Sequence, residues 1–172
     1  MTALTPATLA DANALSDFSN AAFTATFGHI YDPADLAFFL STWNPPEKLR
    51  AQIADPDWAI MLVRGENGDI IGYAKMGPLE FDLPPEQPTD DAVELHQIYL
   101  AEAAKGSGVA GALMDWGIAW ARERASTLYL TVFTDNPRAQ AVYRRYGFYD
   151  VGRNEFRVGN HVDEDRFFRL DL

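Results

Sequence analysis

The sequence contains no cysteine. Disulfide bonds, thiolate metal ligands and a cysteine nucleophile are therefore excluded. It also lacks any apolar run close to the roughly 20 residues of a bilayer-spanning helix, and its first residues lack the basic and apolar stretches of a signal peptide. We therefore expect a cytoplasmic protein without a membrane partner.

Positive charge is scarce as well, with 14 Lys and Arg against 25 Asp and Glu and a formal net charge of -11. Such a chain repels polyanions, so nucleic acid is not expected as a partner. The same field favours the approach of a cationic amine, although acidic surfaces also serve solubility. The 172 residues, 48% of them hydrophobic, suffice for one core, and we expect one domain over residues 1–172.

The first third of the chain predicts helices. Thr5-Pro6 is typical of a helix start, and apolar residues then recur at helical spacing as far as Phe23. Asp32-Pro33 and Pro45-Pro46 are two further start signals. We therefore expect this part of the chain to be mostly helical.

From Trp58 the apolar pattern becomes that of strands. Two apolar runs flank Asn67-Gly68 and predict a β-hairpin, and the proline-rich and acidic residues 78–91 predict a long loop, which is often functional. The remaining pattern predicts a strand over 93–100, a helix over 108–124, a strand over 128–133, a helix over 137–146, and closing strands over 148–158 and 166–172. Strand-helix-strand order indicates a parallel crossover joined to antiparallel hairpins. The closing strands could also pair across a homodimer.

A glycine-rich turn lies between the predicted strand over 93–100 and the helix that follows. It consists of Lys105, Gly106, Ser107, Gly108, Val109 and Ala110. Glycines let successive N–H groups turn toward one anion, and a helix start adds the positive end of its dipole. The turn therefore predicts a diphosphate site, although such turns also occur without a ligand. The helix would bury Val109, Leu113, Trp116, Ile118 and Trp120.

The same turn also fits a dinucleotide-binding fingerprint through Gly106, Gly108 and Gly111, with Asp135 near the distance of a ribose-binding acid. In that fold the first glycine follows its strand almost directly, whereas residues 101–104 intervene here. Too little chain follows to complete a doubly wound sheet. A nucleotide-dependent oxidoreductase is therefore the less favoured class.

Two motifs resemble a known family. Lys105-x-x-Gly108-x-Ala110 is similar to the Gln/Arg-x-x-Gly-x-Gly/Ala loop of the GNAT superfamily of acyl-CoA-dependent N-acyltransferases. It departs from that pattern only in lysine, which keeps a cation but loses the planar fork of arginine. The second GNAT motif is present as Asn136, Ala139, Tyr143, Gly147 and Phe148. Residues 22–27, 94–100 and 156–159 further resemble the PaiA-type spermidine/spermine acetyltransferases.

The resemblance implies a single GNAT-like α/β (α+β) domain. Its central sheet would be mixed but mostly antiparallel, with six to seven strands, a splayed parallel central pair and four to five flanking helices. The implied reaction transfers acetyl from acetyl-CoA, without a metal, to a primary amine of a small molecule, polyamine-like, or of a peptide, by direct attack in a ternary complex. The pantetheine arm would bind the strand edge at Ile98, Tyr99 and Leu100, and amides over 106–110 would hold the diphosphate.

The amine must be uncharged to attack the thioester, so a base is needed. Glu94 and His96 project to the same side of their strand and either could accept the proton, directly or through water. The resemblance favours Glu94, and His96 could equally be a core residue. The resemblance also makes Tyr143 the proton donor to the leaving thiolate and a cofactor contact, although it could be a half-buried aromatic. Asn136 either contacts the cofactor, caps the next helix, or does both.

Acceptor specificity is expected from the helical first third and from the loop over 78–91. The aromatic candidates are Phe23, Phe27, Tyr31, Phe38 and Trp43, which are also ordinary core residues. A regulatory module that binds acyl-CoA without turnover is the alternative function. The acceptor's identity does not follow from the motifs.

Overall fold

The computed structural model describes residues 3–172, and Met1 and Thr2 of the expected domain lie outside the described residues. Seven strands occur in this part of the chain: β1 (Leu4–Pro6), β2 (Ala59–Arg64), β3 (Ile70–Pro78), β4 (Ala92–Leu100), β5 (Thr127–Phe133), β6 (Tyr149–Val158) and β7 (His161–Asp171). The same residues form five α-helices: α1 (Ala12–Phe27), α2 (Pro33–Trp43), α3 (Pro46–Ala54), α4 (Val109–Arg122) and α5 (Pro137–Arg145).

All seven strands belong to one sheet in the order β1-β2-β3-β4-β5-β7-β6. Each neighbouring pair is antiparallel except β4 and β5, which run parallel across the α4 crossover. The predicted mixed sheet with a parallel central pair is therefore confirmed. Strands β1 and β6 are its two edges.

Helices cover both faces of the sheet. Leu113 and Ile118 of α4 pack with Met76 and Leu128 in the main core. On the other face, Leu15 of α1 and Leu49 of α3 pack with Leu62 and Tyr73. Because Tyr73 and Met76 belong to one strand but to different clusters, the sheet separates the two layers. No helix among residues 3–172 combines the length and the apolar character needed to cross a bilayer.

The first helix begins later than the sequence predicts. Thr5 and Pro6 belong to β1, where Thr5 lies opposite Leu62. The helix start is set instead by Thr8, whose N–H donates to Asp11 Oδ2 at 2.8 Å, before α1 begins at Ala12. Sheet pairing thus overrides a local start signal, because the strand edge offers the backbone partners that a free helix end lacks.

The other helix starts and the hairpin are confirmed. Asp32 caps α2 by accepting from the Ala34 N–H at 2.9 Å, and Gly68 closes the hairpin turn with a φ of 85°. Two predictions were wrong. Strand β7 begins at His161 rather than residue 166, because the turn at Gly159 returns the chain into register at once. Trp116 and Trp120 are only partly buried, at the rim of the core. The face that α4 buries consists of Val109, Leu113, Met114, Gly117, Ile118 and Ala121.

Candidate active site

The central parallel pair opens into a cleft. Strands β4 and β5 are paired only over Ala92–Glu94 and Thr127–Tyr129. Beyond them the strands diverge and leave a cleft of about 470 Å³, bordered by residues 95–100 and 130–133. A bulge at His96 in β4 separates the pairs Met76–Leu95 and Lys75–Gln97, and such bulges bend a strand. Residues 98–100 therefore pair with β3 on one side and face the cleft with the other edge.

The glycine-rich turn lies at the mouth of this cleft. Gly106 and Gly108 have φ values of 82° and 90°, which non-glycine residues rarely adopt. Helix α4 begins at Val109, and the Ala112 N–H is the first to bond back into it, at 3.0 Å from the Gly108 carbonyl. The Gly106 and Gly108 N–H groups donate to no oxygen of residues 3–172. The turn therefore presents several free backbone donors beside a helix N-terminus.

Ser107 and Lys105 are oriented differently from the glycines. Ser107 donates from both N–H (3.4 Å) and Oγ (2.6 Å) to the Ala104 carbonyl, so its donors are already engaged. Lys105 borders the cleft, and its Nζ lies 2.5 Å from Glu102 Oε2 at the surface. Arg138 of α5, which the sequence analysis did not select, also borders the cleft. Two cations thus stand near the turn.

Glu94 and His96 are brought together as expected. His96 Nδ1 lies 2.9 Å from Glu94 Oε1, and His96 Nε2 donates to the Pro78 carbonyl at 2.9 Å. The other Glu94 oxygen accepts from the Glu80 N–H at 2.9 Å. His96 borders the cleft and stacks on Trp58, while Glu94, 3% exposed, lies behind it. The pair is a closed hydrogen-bonded unit with His96 as its cleft-facing member.

Tyr143 borders the same cleft from α5. Its ring packs against Phe148 and Phe168, and its hydroxyl is bonded to no group within residues 3–172. Burial raises the pKa of Tyr143 to about 12, so the hydroxyl stays protonated at neutral pH and keeps a proton to donate. Asn136 caps α5, its Oδ1 accepting from the Ala139 N–H at 3.1 Å. The capping interpretation is confirmed, and Asn136 also borders the cleft.

Aromatic side chains form the far wall of the cleft. Phe23 lies at their centre, with ring centroids 5.2 Å from Phe27, 6.0 Å from Tyr31 and 4.8 Å from Trp43. All four border the cleft. Phe38 does not, since it lies on the outer side of α2 and is 70% exposed. Its expected part in acceptor specificity is therefore wrong.

The loop over 78–91 was also expected to shape the acceptor site, but it contributes no residue to the cleft wall. It covers the closed end of the parallel pair instead. Phe81 packs against Phe167 with a centroid distance of 5.3 Å, and Tyr129 donates from its hydroxyl to the Pro88 carbonyl at 2.8 Å. It contacts the cleft-facing His96 through the Pro78 carbonyl and through the Glu80 carboxylate, whose Oε2 lies 3.9 Å from His96 Nδ1.

Two buried carboxylates of β7 border the cleft and were missed by the sequence analysis. Asp163 accepts from the Tyr31 hydroxyl at 2.5 Å and contacts His161 Nε2 at 2.9 Å. Asp165 is 8% exposed. Burial and the neighbouring Asp163 raise the pKa of Asp165 to about 6, with the nearby Thr131 hydroxyl opposing the shift. The sequence feature that could have identified Asp163 and Asp165 is their i, i+2 spacing, which places both side chains on one face of a strand.

A sheet opened between parallel β4 and β5, with a glycine-rich turn at its mouth, defines the GNAT fold. The chain belongs to the acetyltransferase (GNAT) family, whose model matches residues 24–148. Among residues 3–172 no group of three or more His, Asp or Glu side chains could hold a metal ion.

Relatives and solved structures agree with this membership. An uncharacterized N-acetyltransferase of Mycobacterium bovis is 30% identical over 165 residues, covering 91% of this chain and 95% of its own. The N-alpha-acetyltransferase RimI of Mycobacterium tuberculosis is 33% identical over 116 residues, covering 66% of this chain and 68% of its own. The PaiA N-acetyltransferase of Thermoplasma acidophilum, solved in complex with coenzyme A, superposes with a TM-score of 0.79 at 14% identity, covering 100% of this chain and 99% of its own. That last likeness concerns the fold alone.

Proposed function

We propose that this protein is an N-acetyltransferase that moves acetyl from acetyl-CoA directly to a primary amine. One observation carries the proposal: a single cleft runs from the glycine-rich turn at Gly106 to the aromatic wall at Phe23. A thioester held at one end and an amine held at the other would meet between β4 and β5. Direct attack in a ternary complex then needs no covalent enzyme intermediate, and the chain has no cysteine to form one.

The residues at the turn suit coenzyme A. The free N–H groups of Gly106 and Gly108, with those of the first turn of α4, would bind the diphosphate, and Lys105 and Arg138 would add positive charge. A Cβ at either glycine would meet nothing within 4 Å, so the turn is open to a ligand. The unpaired edge of β4 at Ile98–Leu100 would bind the pantetheine amides as an added strand. A backbone N–H near Leu100 would polarise the thioester carbonyl.

Proton transfer is assigned to Tyr143 and His96, which border the cleft, and to Glu94, which is bound to His96. The Tyr143 hydroxyl would donate its proton to the departing thiolate, because it borders the cleft, is bonded to no other group of the described residues and stays protonated at neutral pH. Glu94 and His96 would take the proton that leaves the nitrogen as the amide forms. Because Glu94 is enclosed, the proton would reach it through His96 or a water molecule.

The acceptor class is the finer part of the proposal. The fold neighbour PaiA suggests a polyamine-like small molecule, and the relative RimI suggests a peptide N-terminus. Asp163 and Asp165 border the cleft together with the aromatic wall, which suits a primary alkyl amine of either kind. Within this proposal the PaiA-type subtype and a homodimer through the closing strands remain predictions, and of these two strands only β6 is a sheet edge.

Thiol release from acetyl-CoA against a broad amine panel tests the proposal. The panel should include spermidine, monoamines, amino acids and short peptides with free N-termini. We expect stoichiometric release of coenzyme A with at least one class. Tight acetyl-CoA binding by calorimetry without release against any amine would favour the regulatory module. Saturable NAD(P) binding without acetyl-CoA binding would favour the oxidoreductase.

The Glu94 and His96 roles are tested by their pH profiles. Glu94→Gln should flatten the limb of the pH-rate profile that rises toward alkaline pH, because the proton acceptor is lost. If this limb is flattened in His96→Ala but not in Glu94→Gln, then the His96 imidazole is the proton acceptor.

A further inference from the structure

Asp165 is a buried carboxylate without a charged partner. It is 8% exposed and borders the cleft. Within residues 3–172 the Thr131 hydroxyl is the one donor that faces it, and no cation forms an ion pair with it. Asp163, two residues earlier on the same face, has both oxygens engaged by Tyr31 and His161. A buried charge is normally paired, so Asp165 lacks a counter-ion that the chain does not supply.

The groups that face Asp165 cannot neutralise it. Thr131 of β5 is a neutral hydroxyl, and Tyr99 of β4, whose pKa is raised mainly by burial and further by Tyr143 and Asp165, stays neutral. Asp163 adds negative charge, and the nearest imidazole, His161, is bound to Asp163. The missing positive charge must therefore come from a ligand in the cleft.

The walls around this carboxylate suit an organic cation. Phe27 and Phe133 meet edge to face at 5.9 Å, and Phe156 lies 6.3 Å from Phe23. All of these rings border the cleft together with Asp165. Aromatic faces attract cations, and they do so more strongly where water is excluded. A metal ion would need several oxygen ligands, whereas an alkylammonium needs one carboxylate and an apolar wall.

We propose that Asp165 receives the acceptor amine as an ammonium ion and takes the first of the two protons that its nitrogen must lose. This inference rests on the proposed acetyltransferase function. It makes the acceptor a primary amine that is protonated in solution. It also assigns a catalytic residue in addition to Tyr143 and the Glu94–His96 pair.

The proton balance requires two acceptors. One N–H bond of R–NH3+ breaks as an O–H bond forms on Asp165, which leaves the neutral amine R–NH2. The nitrogen lone pair then bonds to the thioester carbonyl carbon, and the C–S bond breaks as Tyr143 protonates the thiolate. The second nitrogen proton passes to the Glu94–His96 pair, which returns it through water to the Tyr143 phenolate, and Asp165 returns its own proton to water. The sum is R–NH3+ plus acetyl-CoA giving the amide, free coenzyme A and one proton.

Glu94 is poorly placed for the first proton transfer. Its two oxygens are bound by His96 and by the Glu80 N–H, and it lies behind His96. Asp165 borders the cleft directly and faces only the neutral Thr131 hydroxyl. Its pKa of about 6 leaves it ionised at neutral pH, yet more basic than an ordinary aspartate, as a general base should be.

A pair of isosteric acceptors tests the inference. At pH 7.5, 2-phenylethylamine is an ammonium ion, whereas O-benzylhydroxylamine, which has an oxygen in place of one CH2, is an uncharged primary amine. For Asp165→Asn we expect kcat/KM to fall about 100-fold or more with 2-phenylethylamine and to change less than about 3-fold with O-benzylhydroxylamine. If the wild type prefers other acceptors, the matching alkylamine and O-alkylhydroxylamine pair is used.

Glu164→Gln is the matched control, because it removes the same charge one residue away, where Glu164 pairs with Arg153 at the surface. It should leave both acceptors unaffected. Equal losses with both acceptors in Asp165→Asn, or no loss with either, would overturn the inference while leaving the acetyltransferase function intact. A wild-type protein that acetylates no amine would overturn the proposed function itself.

Discussion

Asp165→Asn should stabilise the protein at neutral and alkaline pH. Burial and Asp163 raise the pKa of Asp165 from its ordinary value of 3.8 to about 6. The folded state therefore holds this proton more tightly than the unfolded chain, so stability is complete below pH 3.8 and is lost as the pH rises through 6. Each pKa unit corresponds to about 1.4 kcal/mol, so the ionised carboxylate costs the fold about 3 kcal/mol at pH 8.

Urea unfolding of the wild type and of Asp165→Asn at pH 5 and pH 8 measures this effect. The same two pKa values predict that the variant's free energy of unfolding exceeds that of the wild type by about 3 kcal/mol at pH 8 and by about half as much at pH 5. In a protein of this size the larger gap corresponds to a rise in Tm of about 6 to 12 °C. Glu164→Gln should follow the wild type at both pH values within about 0.5 kcal/mol.

The widening of the gap is the decisive quantity. The amide introduced by the substitution has its own cost of burial, which is the same at both pH values and cancels from the difference. The titratable neighbours of Asp165 are Asp163, His161, Tyr31 and Tyr99, and these remain in both proteins. A gap that is equal at pH 5 and pH 8 would refute the reasoning.

Three further changes test the glycine-rich turn, the proton donor Tyr143 and the buried Lys75. Gly108→Asp should abolish acetyl-CoA binding in calorimetry, because the carboxylate adds bulk and repels the diphosphate. Gly68→Asp is the control and should not affect binding, since Gly68 has a φ of 85° against 90° for Gly108 and equally open surroundings. Retained binding in Gly108→Asp would mean that the diphosphate binds elsewhere. Tyr143→Phe should lower kcat about 10 to 1000-fold without changing the Kd for acetyl-CoA, whereas the control Tyr146→Phe should leave kcat unchanged. An unaltered kcat in Tyr143→Phe would show that Tyr143 is not the proton donor. Burial, and to a smaller extent the nearby Lys48, lower the pKa of Lys75 from 10.5 to about 7. The folded state therefore binds fewer protons than the unfolded chain between these pH values, and the free energy of unfolding should rise from pH 7 to pH 10.5. Lys75→Met should lose this rise in urea titrations, and an identical rise in the variant would contradict the explanation.

Most of the fold could be predicted because its signals are local. Asp32-Pro33 fixes a capped helix start, and Asn67-Gly68 fixes a two-strand turn, whatever surrounds them. Thr5-Pro6 failed because a distant strand at Leu62 competed for the same backbone. Pairing of this kind depends on residues more than 50 positions away, which no local pattern contains.

The candidate site likewise contains residues that a local sequence pattern predicts and residues that it does not. The glycine-rich turn and Asn136, Ala139 and Tyr143 occur at fixed spacing, so the sequence pattern alone identified them as candidates, and Asn136, Ala139 and Tyr143 border the cleft. The apolar pattern did not indicate Asp165, because the charged residues 163–166 interrupt it and the predicted strand begins only at residue 166 instead of His161. The loop over 78–91 was assigned to the acceptor site because its length suggested function. Only its packing, through Phe81 on Phe167, shows that it covers the other end of the strand pair.

The contrast between Lys75 and Asp165 distinguishes two kinds of buried ionisable group. Lys75 is 2% exposed, but its Nζ donates to Asn44 Oδ1 at 3.0 Å and lies 3.3 Å from Gln52 Oε1, so the chain itself supplies its hydrogen-bond partners. Asp165 is almost as deeply buried, yet it faces only the Thr131 hydroxyl, and no cation of the described chain pairs with it. A buried carboxylate without a counter-ion destabilises a fold and is replaceable by a single substitution. Our proposal accounts for its presence at the wall of the cleft by a cation that binds there during turnover, which Lys75 does not require.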